Sequence, residues 1–278
     1  MDVSARPVTS TNADAKVALL KIHFLEFVTL TAALMALTAL SIDIMLPALP
    51  AIGAALGVNS ENDRQLVVIL YMVGFAVGQL FYGPLSDRFG RKPVLMLGLA
   101  IFVVGTLAAL LSDTFKLLLL SRIVQGFGAA SPRVIAVAVV RDLYSGRQMA
   151  RVMSFTMMVF IVIPVFAPSI GQGLVHLGNW HWTFYALLIM GGAVSIWAAL
   201  RLPETASPVI HHESVQTLAQ SFNAVVGEMQ TIAYGVCSGL MFGCLLAYVA
   251  SAEQVFVLRC SWRQRQSEAE QVCRFLRS

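Results

Sequence analysis

Residues 66 to 112 read LVVILYMVGFAVGQLFYGPLSDRFGRKPVLMLGLAIFVVGTLAALLS, two apolar runs joined by the decapeptide Gly83-Pro84-Leu85-Ser86-Asp87-Arg88-Phe89-Gly90-Arg91-Lys92. Each run reaches the length, about 18 residues, that an α-helix needs to cross the hydrocarbon core of a bilayer. Neither alternates apolar and polar residues as a strand of a membrane barrel does, and in lipid a lone segment satisfies its backbone only as a helix. Outward from this pair, further apolar stretches lie near residues 25 to 49, 117 to 140, 152 to 176, 182 to 202 and 232 to 257. The expectation is an all-α polytopic membrane protein with seven transmembrane helices.

Composition agrees. Of 278 residues, 58% are hydrophobic and 12% charged, against about 25% charged in ordinary soluble domains, and the mean hydropathy is +0.76. The net charge of +4 is carried in short segments beside apolar runs, so the partner implied is the lipid bilayer and not nucleic acid. The first apolar run is too long for a cleaved signal sequence and reads as a retained span. Cys237, Cys244, Cys260 and Cys273 lack the paired spacing of a zinc site, and Cys237 and Cys244 read as small packing residues. His211 and His212 stand without further ligands, so no metal is expected.

The basic residues assign the sides. Arg6, Lys16, Lys21, Arg88, Arg91, Lys92, Arg141, Arg147, Arg151 and Arg201 fall on one side, with Arg64 and Lys116 opposite, which places the N-terminus in the cytoplasm. The chain then divides into a cytoplasmic N-terminus (1–23), a six-helix bundle (24–202), a cytoplasmic linker (203–231), a seventh helix (232–258) and a polar tail (259–278). Five arginines in that tail follow a helix that should exit outside, so it reads as a non-native end of a truncated frame.

The decapeptide resembles the G-x-L-S-D-R-x-G-R-K signature of the major facilitator superfamily at nearly every position. Read physically, Gly83, Pro84 and Gly90 permit a tight loop between helices, Asp87 can pair with a facing helix terminus, and Arg88, Arg91 and Lys92 hold the cytoplasmic side. Ser41-Ile42-Asp43-Ile44-Met45-Leu46-Pro47-Ala48-Leu49-Pro50 in the first helix is similar to the pattern of the bacterial bicyclomycin and chloramphenicol resistance branch. An acid in a span costs about 2.5 to 3.5 kcal/mol on insertion scales, so Asp43 is expected to face a working interior.

In the fourth helix Arg122, Gln125, Gly126, Ala129 and Arg133 share one face by spacing. Arg122 to Ala130 resembles the family's fourth-helix motif, and that resemblance assigns proton coupling to Arg122; counting rises from the outer boundary puts Asp43 and Arg122 at similar depth. Gln125 and Arg133 are candidate cavity residues. In the fifth helix Pro164, Ala167, Pro168, Gly171 and Gln172 resemble the family's antiporter motif, departing from it at Ala167 and Gln172. Trp180, Trp182 and Tyr185 read as an aromatic belt at the outer interface, and Gly235, Gly239 and Gly243 as a packing stripe.

No nucleotide-binding loop, metalloprotease motif or hydrolase elbow occurs, so the expectation is no enzyme and no cofactor. The resemblance implies a secondary transporter of the bacterial inner membrane, exchanging protons for drug-like amphipathic molecules, truncated after the seventh helix and inactive alone or self-associated. A non-transporting membrane interaction protein is the alternative.

Overall fold

The computed structural model describes residues 23–58, 60–205, 227–241, 243, 244 and 248. The chain forms two compact units, Met1–His212 and Glu213–Ser278. In the first, six segments are long and apolar enough to cross a membrane: Phe24–Ala55, Asn62–Phe89, Arg91–Leu110, Phe115–Leu143, Gly146–His176 and His181–Arg201, hereafter the first to sixth spans. The second unit is helical over residues 229–241, and its described side chains are exposed. Cys237 and Cys244 are free and exposed there, and a side chain added at Gly235, Gly239 or Gly243 would meet open space. The packing roles expected of these five residues are therefore not seen within this unit. His211, His212, the tail from 259 and the seventh helix beyond residue 248 lie outside the described residues.

The helices outrun the apolar runs because polar residues cap them. Ser60 Oγ accepts a hydrogen bond from the Asp63 amide, and Thr114 Oγ1 from that of Leu117, each satisfying one of the amides a helix start leaves orphaned. Hydropathy registers neither the caps nor the polar first turns.

The first span departs further from its expected form. Its helix runs Phe24–Asp43, loosens through a 3-10 turn at Leu46–Ala48 and resumes over Leu49–Ala55. Pro47 and Pro50 sit at the first positions of these short elements, where a missing N–H costs nothing. The prolines therefore restart the helix and do not end it at Leu49. Asp43 closes the first helix, before the break, so a count of α-helical rises from Leu49 does not give its depth.

The fourth span organises the bundle. The second and third spans both pack along it, the first packs on the fifth, and the third on the sixth. Leu30, Leu34, Met35, Leu37, Tyr71, Leu95, Leu99, Phe102, Ala129 and Ala130 fill one continuous core, and Met45, Ile52, Val67, Leu118, Phe184 and Leu187 a second. Trp180 belongs to that second core, 2% exposed, stacked on His181 at 3.7 Å and edge-on to Phe184. Only Trp182 and Tyr185 are exposed as an interfacial belt requires, because Trp180 precedes the helix and turns inward.

Candidate functional site

At one end of the bundle the decapeptide is helix, not loop. The second span continues through Pro84 to Phe89, Gly90 alone breaks it, and the third span begins at Arg91. Gly90 has φ +96° and ψ 156°, a region essentially reserved for glycine, at a cost of about 1–3 kcal/mol for residues with a Cβ. A Cβ there would also stand 2.8 Å from Glu204 Oε2. The Glu204 carboxylate accepts from the amides of Arg91 at 2.8 Å and Lys92 at 3.1 Å, an anion on the positive start of the third span. The acid expected at a helix terminus was Asp87. The terminus is instead taken by Glu204, from beyond the sixth span, while Asp87 Oδ1 pairs at 2.6 Å with Arg91 NH1 in its own loop motif.

Arg91 is the hub of this end. Its Nε meets Asp142 Oδ2 at 3.0 Å and its NH1 donates to Ser86 Oγ at 2.6 Å, so the ends of the second and fourth spans and the start of the third share one guanidinium. Arg201 and Glu26 make a two-bond ion pair of 2.5 and 2.7 Å, closing the sixth span on the first. Arg88 lies over its neighbour Phe89, and Gly83 borders open space. Replacing Gly90 with alanine is expected to cost about 2 kcal/mol, from backbone strain plus displacement of Glu204. A fall in thermal midpoint of the purified chain checks this, with Gly192→Ala, which borders open space, as the neutral control.

Inside the bundle the fourth span supplies the polar face. Arg122 is fully buried. Its Nε donates to the Val67 carbonyl at 3.1 Å, NH2 to the Ser41 carbonyl at 3.1 Å and NH1 to Gln125 Oε1 at 2.5 Å. Gln125 Nε2 passes the chain on to Thr106 Oγ1 at 2.8 Å, and the guanidinium lies 4.4 Å from the centre of the Tyr71 ring. One side chain thus ties the first, second and third spans to the fourth through neutral acceptors. Asp43 forms no ion pair among the described residues; it is half-buried, two residues after Ser41, where the helix ends. Asp43 and Arg122 are thereby neighbours through the backbone without direct pairing. A spacing argument cannot find the carbonyl acceptors, since backbone groups carry no sequence signal.

Arg133 occupies the same face three turns on. It is half-buried, with its guanidinium 4.8 Å from the centre of the Phe160 ring of the fifth span. The fifth span is helical through both Pro164 and Pro168. Gly171 lies against the Ile44 carbonyl and 2.8 Å, from an added Cβ, to Pro47 Cγ, so the antiporter-like segment packs directly on the broken part of the first span. Ala167 is buried there, while Gln172 is exposed.

Residues 31–261 match the family profile described as Major Facilitator Superfamily. The chain belongs to this superfamily. Among relatives of the major facilitator chain, the bicyclomycin resistance protein homolog of Haemophilus influenzae is 32% identical, over 78% of this chain and 54% of its own length. Multidrug resistance protein D of Escherichia coli is 34% identical, over 73% and 54%. Multidrug resistance protein MdtL of E. coli is 36% identical, over 66% and 47%. Among solved structures, the human organic anion transporter MFSD10 aligns with a TM-score of 0.53 at 21% identity, covering 69% of this chain and 50% of that one. That likeness shows the fold. The chain spans about half the length of the relatives it matches, and as a major facilitator protein it is a multi-pass membrane protein.

Proposed function

We propose that this chain carries the proton-responsive half of a drug-efflux transporter of the bacterial inner membrane, with the N-terminus in the cytoplasm. The observation that carries the reading is Asp43, a half-buried acid without an ion pair at the point where the first span's helix breaks. Arg122 grips the carbonyl two residues before it. A charge there is costly unless water or a solute reaches it, so gaining or losing a proton changes how well the broken segment packs. That segment touches Gly171 of the fifth span, so the proton's effect reaches the helix that packs along the first span. Two such packings, biased by one proton, are what alternating access requires. The relatives named for multidrug and bicyclomycin resistance support drug-like amphipathic substrates.

In this arrangement the cluster around Arg91 fixes the cytoplasmic ends. The bundle of 24–202, the linker of 203–231 and the seventh helix of 232–258 remain the working division of the chain, and a second half opposite the bundle completes the pathway.

Asp43→Asn keeps the side chain's shape and removes its proton chemistry, and no ion pair is broken. The expected outcome is loss of uncoupler-sensitive drug efflux, at least tenfold, in cells lacking other pumps, with an unchanged amount of folded protein in the membrane. Efflux that survives the substitution, or that ignores the uncoupler in the unsubstituted chain, would refute proton coupling at Asp43. Efflux no greater than with empty vector would favour a non-transporting interaction protein.

A further inference from the structure

We infer that Arg133 and Phe160 form a subsite for the anionic group of an amphipathic aromatic solute, so that the chain prefers acidic over neutral or cationic ligands of the same shape. This rests on the transport reading only in taking the same interior face as the solute's path.

Among the described residues of the six spans, only Asp43, Arg122 and Arg133 are charged aspartate, glutamate, lysine or arginine side chains lying more than six residues inside both ends of their span. Two are cations and one is an acid. Arg122 is saturated: its guanidinium spends its reach on Val67, Ser41 and Gln125. Arg133 shares the aromatic stacking of Arg122 but not its hydrogen bonds. It faces the Phe160 ring, and no hydrogen bond or carboxylate engages its guanidinium among the described residues.

Arg133 stands ten residues from Leu143 and eighteen from Phe115, about 15 and 27 Å along the helix. An arginine in the interior of a span usually faces the bundle or a water-filled cavity and not lipid. A guanidinium so placed and half-exposed is open to an acceptor from outside the bundle. Its planar fork matches a carboxylate, phosphate or sulfonate with two parallel hydrogen bonds, and the π-face of Phe160 holds the fork in place meanwhile.

The solute's apolar body would lie along the fifth span, where Met153 and Phe160 also touch the buried core. Met157 and Met153, one and two turns before Phe160, are half-buried on the same side of the fifth span. Unbranched thioethers repack around differing shapes and make favourable sulfur–aromatic contacts. A fixed charge beside an adaptable apolar wall selects by charge while tolerating shape.

The test is equilibrium binding of radiolabelled 1-naphthoate, 1-naphthamide and 1-naphthylmethylammonium to the full chain in phosphatidylcholine nanodiscs, with empty nanodiscs subtracted. Naphthoate is expected to bind at least tenfold more tightly than the other two. Arg133→Gln should erase that preference by weakening naphthoate alone, Arg133→Lys should keep part of it, and Phe160→Leu should weaken all three. Size-exclusion profiles and thermal midpoints of the variants report folding, and the surviving naphthamide affinity is an internal control for Arg133→Gln. Equal binding of the three probes by the unsubstituted chain, absence of binding, or a preference that survives Arg133→Gln would overturn the subsite. Because binding needs no gradient, a chain that binds with this preference yet moves no solute would sink the transport reading alone, and uncoupler-sensitive efflux without charge preference would sink the subsite alone.

Discussion

Gly126→Val is expected to abolish folded protein. A Cβ at Gly126 would run into the Tyr71 carbonyl oxygen and stand 2.9 Å from the Tyr71 carbonyl carbon and 3.1 Å from the Phe75 amide nitrogen. Reciprocally, a Cβ at Gly74 would meet the Ile123 carbonyl oxygen and lie 2.9 Å from its carbon. The second and fourth spans thus touch backbone to backbone, the approach that small residues permit between helices in lipid. Backbone cannot rotate aside as a flexible side chain does, so the spans must separate. Overpacking costs about 1–3 kcal/mol where side chains yield, and more where they do not. Separation would also pull Val67 away from Arg122.

Since a domain's whole stability is about 5–15 kcal/mol, a cost of about 5 kcal/mol or more removes a third of it to all of it. The measurement is the yield of monodisperse protein after detergent extraction, expected to fall at least tenfold, against Gly173→Ala, which borders open space, at unchanged yield. Normal yield and thermal midpoint for Gly126→Val would mean that the spans do not meet in this way.

Arg122→Ala is expected to lower stability by about 2 kcal/mol, the balance of opposed terms. Gln125 Oε1 loses its donor, at about 1–3 kcal/mol, and truncation opens a cavity beside Tyr71, at about 2–5 kcal/mol for large side chains. Relief from burying a cation offsets part of both. Arg122→Met fills much of the volume without the charge and is expected to fold close to the unsubstituted chain. Under the proposed mechanism both variants lose efflux, since neither can hold the Ser41 carbonyl next to Asp43. A drop in thermal midpoint for alanine that methionine restores would assign the stability effect to volume. A methionine variant that retained full uncoupler-sensitive efflux would remove Arg122 from the coupling.

Much of this protein is legible in one dimension. Six apolar runs of spanning length, without strand alternation, require helices in lipid. The alternation of basic ends predicts sidedness, and the decapeptide around Asp87 carries the family, which the match over residues 31–261 shows independently. The shared face of Arg122, Gln125 and Arg133 follows from helical spacing alone.

Tertiary structure decided what pairs with what. The decapeptide reads as a loop because glycine and proline usually break helices, yet Pro84 is carried inside one and Gly90 alone turns the chain. Asp87 reads as the acid for a helix terminus, but Glu204, more than a hundred residues later, reaches it instead. Arg122 and Asp43 read as lying at similar depth, whereas the carbonyls of Val67 and Ser41 are what hold the guanidinium. In each case the deciding group is either a backbone atom or a residue remote in sequence. Helical periodicity specifies which face a side chain occupies, and only the packing of one helix on another specifies what that face meets.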